Sequence, residues 1–345
     1  MSKVKSDDRV YRIGIDAMGS ENAPFSEVEG ALLVSKLNLP VTVKIIFFGN
    51  EEAISSAIKT LIKEHNSYDV DYKIVHCSDN VTMKDEATVA IKQKKDSSMR
   101  KGLEAHKNNE VDAFISAGNT GAMMSTSTVL LGRIKGVSRP TIGTFFPSAG
   151  EYPKLILDAG ANVDSKPKFL YEFAIMGSLY FQEMLGLSSP KVGLLNVGEE
   201  ESKGNVLAQD TYKLLKNSDL NFIGNIEGRD ILMGKADIVV CDGFTGNIIL
   251  KFAESFLSFL KASIKNYAKR GLFNKLKVGL MIPTLKDVLK DFDYQEHGGV
   301  PLLGVNGVSI IGHGSSNGKA MQNMIIRSIE IVQKDLNNKI DQALN

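Results

Sequence analysis

The 345-residue chain has no tryptophan, two cysteines and nine prolines. The two thiols, Cys77 and Cys241, cannot frame a disulfide-stapled domain, a CxxC redox pair or a zinc ribbon. No apolar run approaches the roughly 18 residues that a membrane-spanning helix needs. Residues from Met1 to Arg9 are polar and charged, unlike a secretory signal, so a cytoplasmic location is expected. Neither charge sign is in excess: 41 basic and 40 acidic residues leave a net charge of +1, so no global field points to nucleic acid. The phosphate-loop pattern GxxxxGK[ST] is missing, as is a GxGxxG after the first strand, and ATP and dinucleotides lose their usual support. His65, His76, His106, His297 and His313 are scattered without metal-site spacing, so neither a metal nor a cofactor is expected. Gly314-Ser315-Ser316-Asn317-Gly318 has the letters of a hydrolase elbow, but no histidine follows Ser316 to complete a triad.

What is present is the composition of a soluble globular chain, 43% hydrophobic and 23% charged, long enough for a sizeable core. After a polar tail over 1–10, strand and helix patterns alternate. Strands read at 12–18, 43–48, 72–77, 111–116, 141–146, 154–158, 191–196, 221–226 and 237–241. Helices read near 25–37, 51–63, 84–95, 98–107, 120–133, 165–185, 203–216, 246–269 and 317–337. Short strands read at 302–305 and 308–311. The helix opened by Pro167 is apolar almost all round and should be buried. Such alternation predicts a layered α/β/α fold with a mostly parallel sheet. No linker divides the chain, so a single domain over 11–340 is expected, with room for two lobes.

Four of the short apolar runs end in glycine-rich turns bearing asparagine or aspartate. They are Ser116-Ala117-Gly118-Asn119-Thr120-Gly121, Asp158-Ala159-Gly160-Ala161-Asn162, Asn196-Val197-Gly198 and Asp242-Gly243-Phe244-Thr245-Gly246-Asn247. Ligands of open α/β sheets bind outside the carboxyl ends of the strands, where these turns fall. Glycine lets backbone N–H groups approach, and the side-chain amides add neutral donors. Together the turns read as an anion-binding rim.

Other features are less committed. Gly312-His313-Gly314-Ser315-Ser316 opens the last helix, either as a plain serine-capped start or as an anion site. Lys203, at a strand end, can serve as a point charge for phosphate or a developing oxyanion. Cys241 lies in an apolar run and reads as a core thiol. From Lys261 to Lys286 there are seven Lys or Arg and no acid. Apolar and cationic blocks there suit a helix or loop on anionic lipid, or equally a helix end packed on a partner subunit.

Taken in order, Ile15-Asp16-Ala17-Met18-Gly19, Ile115 to Ala122, Gly132-Arg133-Ile134-Lys135-Gly136, Arg139-Pro140, Asp158 to Asp164, Gly193 to Gly198, Lys203-Gly204-Asn205, Asp242 to Asn247 and His313-Gly314-Ser315-Ser316 resemble the bacterial phosphate acyltransferases, the PlsX family. The resemblance runs from about residue 11 to 335. One departure is Ser20-Glu21-Asn22 where the family usually reads Gly-Asp-His, which puts a catalytic histidine there in doubt.

The resemblance implies a fold similar to isocitrate and isopropylmalate dehydrogenases and to phosphotransacetylase, assembled as a homodimer. It implies attack of inorganic phosphate on long-chain acyl-ACP to give acyl phosphate and free acyl carrier protein, in phospholipid synthesis. A glycerol-3-phosphate acyltransferase would use the product downstream. It assigns catalysis to Lys203 and Asn247. Substrate-binding candidates are Asn119, Asn162, Asn196, Thr245, His313, Ser315, Ser316, Asp16, Asp158 and Asp242, the aspartates being as suited to bracing turns. It implies peripheral contact with an anionic membrane, for which Leu272, Phe273, Leu276 and Leu280 are candidates. The acidic carrier would dock on Lys92, Lys94, Lys95, Arg100 and Lys101, or on the cations of 261–277.

Overall fold

A computed structural model describes residues 7–37, 39–65, 70–150, 152–289 and 298–345. They form two compact units. The first holds the described residues up to Gly143, Ile175–Pro190 and 298–345; the second holds Thr144–Ala174 and the described residues from Lys191 to 289. Two of the passages between units fall inside regular elements, β5 (Thr141–Phe146) and α6 (Pro167–Leu185), and a third lies between Pro190 and Lys191. No linker marks the first two in the sequence.

In the first unit β1 (Asp7–Asp16) pairs in parallel with β2 (Val41–Gly49) and β4 (Ala113–Ser116). Outward from these lie β3 (Asp71–His76), beside β2, and β11 (Val308–Ile311), beside β4, both parallel. Only β10 (Val300–Leu303) runs against its neighbours β11 and β5. β1 begins inside the segment expected as a tail, with Arg9 and Arg12 both paired to Asp112 at 3.2 and 3.0 Å; residues 1–6 lie outside the described residues. α1 (Phe25–Ser35) packs on α11 (Gly318–Lys334) so closely that a Cβ on Gly30 would sit 2.3 Å from that of Met321. α4 (Ser98–Lys107) carries Gly102 where Phe114 leaves no room for a side chain.

In the second unit four short strands are all parallel. β6 (Lys154–Leu157) pairs with β9 (Ile238–Val240), β9 with β7 (Val192–Leu195), and β7 with β8 (Phe222–Ile226). Their side chains face a core of Phe146, Ile156, Ile226, Val239 and Cys241, which Ile249, Leu250 and Ala253 of α9 (Gly243–Ala268) cover. Lys154, 4% exposed, is paired at 2.9 Å with Asp237, whose other oxygen accepts the Lys191 N–H, tying the starts of three strands together. The helix expected at 203–216 is α7 (Val206–Lys216), capped by Asn205. A six-residue helix, α8 (Gly228–Met233), was not legible as a periodic pattern. The basic segment folds as the end of α9 and as α10 (Leu272–Leu289), with Pro283 inside it.

Candidate active site

Because β6, β9 and β7 are parallel neighbours, their carboxyl ends lie on one edge of the second unit, roughly 4.8 Å apart. Three of the four glycine-rich turns therefore stand side by side, with the β9 turn in the middle. β9 is inserted between strands joined through α6, and that kind of switch in strand order opens the crevice where α/β ligands bind.

The turn after β6 is organised by buried Asp158. One carboxylate oxygen accepts the N–H groups of Gly160 (3.0 Å) and Ala161 (2.8 Å); the other accepts the N–H and the side-chain amide of Asn162, both at 2.7 Å. Burial raises its pKa, against the pull of these donors. In the middle turn Asp242 caps α9, accepting the Thr245 N–H at 2.9 Å and hydroxyl at 2.8 Å. Gly243 donates to the Asn162 carbonyl at 2.9 Å, and Gly246 lies against the Asp158 carbonyl where no Cβ fits. Asp158, Asn162, Asp242 and Thr245 thus hold the two turns together.

Asn247 differs from them. A Cβ on Gly160, which has φ of +132°, would lie 3.3 Å from its Cγ, yet its exposed amide makes no hydrogen bond to any described residue. In the third turn Asn196 is engaged at both ends, accepting from the Val197 N–H at 2.8 Å and donating to the Lys203 carbonyl at 3.1 Å. Gly204, at φ +90°, sits against that amide and cannot be replaced without displacing it. Lys203 is exposed on this braced loop. Glu199 and Glu201 pair with Lys235 and Lys216 at 2.7 Å, and the Lys203 ammonium has no ion pair among the described residues. Of the seven candidates in this unit, Lys203 and Asn247 alone keep donors that the fold does not engage.

The fourth turn belongs to the first unit, where the carboxyl ends of β1, β4 and β11 are neighbours. Buried Asp16 accepts the Ser116 hydroxyl at 2.7 Å and the Met18 N–H at 3.2 Å; burial raises its pKa. Gly19 packs on the Gly118 backbone, and Gly312 donates to the Ser116 carbonyl at 2.9 Å. Asn119 caps α5 (Thr120–Leu130) through the Ala122 N–H at 3.0 Å. Its amide also pins the Thr82–Asp85 turn, donating to the two carbonyls at 3.2 and 2.8 Å. That turn replaces the start of the helix expected at 84–95, leaving α3 (Ala87–Gln93). His313 Nδ1 and the Ser315 hydroxyl are 2.7 Å apart, whereas the Ser316 hydroxyl is buried with no partner among the described residues. Asn22, at the family's histidine position, directs its amide to Ser26 at 3.4 Å.

One group here carried no sequence signal. Glu27 of α1 is fully buried beneath the Gly19 turn, accepting the Ser20 N–H at 3.1 Å, and burial pushes its pKa up to about 7. Both thiols are also held protonated at neutral pH by burial, Cys77 up to about 11 and Cys241 well above its ordinary value. No group of three or more His, Cys, Asp or Glu among the described residues could hold a metal ion; His297 lies outside them.

The family described as "Fatty acid synthesis protein" matches residues 11–339. A phosphate acyltransferase of Halothermothrix orenii is 45% identical over 340 residues, 97% of this chain and 98% of the relative. One of Dictyoglomus turgidum is 42% identical over 335 residues, with 97% and 98% covered. The chain belongs to the phosphate acyltransferase family. Among solved structures, the EutD phosphotransacetylase of Staphylococcus aureus has a TM-score of 0.57 at 16% identity, covering 96% of each chain. A Salmonella typhimurium protein assigned as a 4-hydroxythreonine-4-phosphate dehydrogenase reaches 0.50 at 12%, covering 94% and 99%. These likenesses show the fold: mixed α/β with a mostly parallel sheet.

α10 exposes Leu272, Phe273, Leu276 and Leu280, the last 82% accessible. No helix among the described residues is long and apolar enough to cross a membrane. The two proposed cationic patches differ. Lys94 pairs with Asp85 at 2.7 Å, Lys101 with Asp96 at 2.5 Å and Arg100 with Glu104 at 2.9 Å, so three of the five cations at 92–101 are neutralised. Lys261, Lys265, Lys269, Arg270, Lys275 and Lys277 are exposed without a carboxylate partner among the described residues.

Proposed function

We propose that the chain transfers a long-chain acyl group from acyl carrier protein to inorganic phosphate. A phosphate oxygen attacks the thioester carbonyl, the tetrahedral oxyanion collapses, and the C–S bond breaks. Acyl phosphate forms, and the carrier leaves as a thiolate that takes up the proton released by the bound phosphate. Phosphate is itself the nucleophile, so the enzyme contributes position and charge stabilisation rather than a covalent intermediate. Lys203 neutralises charge on phosphate or oxyanion, and Asn247 donates to the developing oxyanion. The observation that carries this reading is that these two donors stand unengaged on neighbouring strand ends, in turns whose other candidate side chains are occupied by the fold. Cysteine catalysis fits poorly with thiols held protonated by burial.

The uncompensated cations of 261–277 suit an acidic carrier, and the exposed leucines and Phe273 of α10 suit peripheral contact with anionic lipid, on the cytoplasmic face of the membrane. A homodimer, as the family resemblance implies, completes the proposal. Purified protein given palmitoyl-ACP and phosphate should release free carrier and hydroxylamine-trappable acyl phosphate in equal amounts. Carrier release without acyl phosphate would overturn the proposal. Faster reaction of palmitoyl-CoA than of palmitoyl-ACP at equal concentration would move the enzyme to a phosphotransacetylase-like reading.

A further inference from the structure

The motif Gly132-Arg133-Ile134-Lys135-Gly136 has no part in the proposed transfer, yet the fold builds it into the wall of a cavity. This cavity, about 280 Å³, belongs to the first unit and is lined by Arg133, Lys135, Asn306, Asn337, Asn338 and Asp341. The last three lie on α12 (Leu336–Leu344), and Asn306 precedes the amino end of β11. The glycine-rich turn of this unit leaves the opposite, carboxyl end of β4, which runs parallel to β11, so the cavity is separate from the rim. Hydrogen bonds fix its walls. The Ile134 N–H donates to the Gly304 carbonyl and the Asn306 N–H to the Gly132 carbonyl, both at 3.0 Å. The Asn337 amide donates to the Val305 carbonyl at 3.2 Å and the Asn345 amide to the Lys135 carbonyl at 3.0 Å, which ties the helix to both loops. Gly136, at φ +84°, packs on the Leu344 backbone so closely that a Cβ would lie 2.8 Å from its oxygen.

The lining divides into donors and acceptors. On the loops, Arg133 and Lys135 have no ion pair among the described residues, and the Asn306 side chain makes no hydrogen bond to any of them. Arg133 gives one nitrogen to the Ser138 carbonyl and keeps the others for a ligand. On α12 the nitrogens are spent: Asn337 donates to Val305, and Asn338 to both oxygens of Asp335 at 2.8 Å. Lys339 is likewise paired with Glu183 at 2.7 Å. What α12 offers is oxygen, from Asn337, Asn338 and Asp341, one of whose carboxylate oxygens accepts from Asn345 at 2.8 Å while the other has no partner among the described residues. We propose that the cavity binds the phosphomonoester of a small polyol, its phosphate held by Arg133, Lys135 and Asn306 and its hydroxyls by the oxygens of α12. Guanidinium and ammonium donors suit a phosphate, and a carboxylate suits hydroxyl donors. Two cations against one carboxylate favour a single anionic group, and the carboxylate opposes a second. At about 30 Å³ for each water of the liquid, the space takes roughly nine non-hydrogen atoms, the size of a three-carbon phosphate and too small for a nucleotide. Neither Lys203 nor Asn247 enters this site, so it stands or falls independently of acyl transfer.

The test is calorimetric titration of the full protein with racemic glycerol 1-phosphate, using methyl phosphate and glycerol as probes of the two halves. The parent should bind glycerol 1-phosphate more tightly than methyl phosphate, and glycerol not measurably. Arg133→Gln plus Lys135→Gln should weaken glycerol 1-phosphate by at least about 10-fold, the scale of one lost charge-assisted hydrogen bond, with the melting temperature unchanged. Asp341→Asn removes the negative charge, keeps an oxygen for Asn345, and should erase the preference for glycerol 1-phosphate over methyl phosphate. Lys203→Ala should bind glycerol 1-phosphate as the parent does, which separates this cavity from the proposed phosphate cradle.

No binding by the parent would overturn the proposal. So would binding that Lys203→Ala abolishes and the double variant retains, which would move the ligand to the rim. Equal affinity for methyl phosphate and glycerol 1-phosphate in the parent would overturn the polyol assignment. Pelleting with phosphatidic acid vesicles that the double variant loses, without binding of the soluble ester, would give Arg133 and Lys135 to a lipid headgroup and likewise overturn the proposal.

Discussion

The turn after β4 and the turn after β9 are built from nearly the same residue types: each leaves a buried strand, carries two glycines and an asparagine, and opens a helix. Their asparagines do opposite things. Asn119 occupies the N-cap position of α5, so its oxygen is taken by the Ala122 N–H and its amide by two carbonyls of the Thr82–Asp85 turn. In the β9 turn Asp242 takes the cap, and Asn247 falls five residues later with its amide unengaged against Gly160. The position of an asparagine relative to the cap therefore decides whether it holds the scaffold or remains available to a ligand. Lys203 repeats the lesson on the adjacent strand end, where Asn196 braces the loop and the lysine is left free.

The contrast can be broken most directly at Lys203. Lys203→Ala should lower turnover by roughly 100-fold or more, the scale of a lost oxyanion donor, with an unchanged melting temperature. A drop of a few-fold would return Lys203 to the scaffold class.

The acids beneath the two rims sharpen the comparison next. Both oxygens of Asp158 are taken by hydrogen-bond donors, whereas Glu27 Oε2 has no partner among the described residues. Burial raises the Glu27 pKa from 4.5 to about 7, so the folded state keeps a proton that the unfolded chain releases at lower pH. The stability this gives is complete below pH 4.5 and is lost as pH rises through about 7. Glu27→Gln keeps the acceptor for Ser20 and removes the loss. Urea unfolding should show a variant that gains on the parent between pH 5 and pH 8, by up to about 3 kcal/mol at 1.4 kcal/mol per pH unit. A gain at low pH instead would contradict the assignment.

The smallest effect is expected at Asn119. Asn119→Ala should cost about 2 kcal/mol of stability through the lost cap, with turnover of the surviving folded protein reduced only a few-fold. A fall of 100-fold without destabilisation would make it a ligand donor like Asn247.

Much of the scaffold was legible in the sequence because its signals are local. The strand at 141–146 follows from its apolar run and the helix at 165–185 from Pro167, with Gly186 ending the helix at φ +69°. What failed depends on partners far along the chain. β1 extends back to Asp7 as Arg9 meets Asp112, and α3 starts late because Asn119 holds the turn before it. Two of the passages between the units left no mark in the sequence because they lie inside regular elements. At the site, residue types and strand-end positions were readable. Which of the asparagines are occupied was not, since Asn119, Asn162 and Asn196 are distinguished from Asn247 only by bonds formed on folding.

The central claim is that rim donors left free by the fold, acting on a phosphate nucleophile, supply the catalysis. It is tested most directly by the rate of acyl phosphate formation from palmitoyl-ACP and phosphate in Asn247→Ala, measured beside its melting temperature. The predicted result is a rate at least about 100-fold below the parent with the melting temperature unchanged. A rate within a few-fold of the parent would contradict the account.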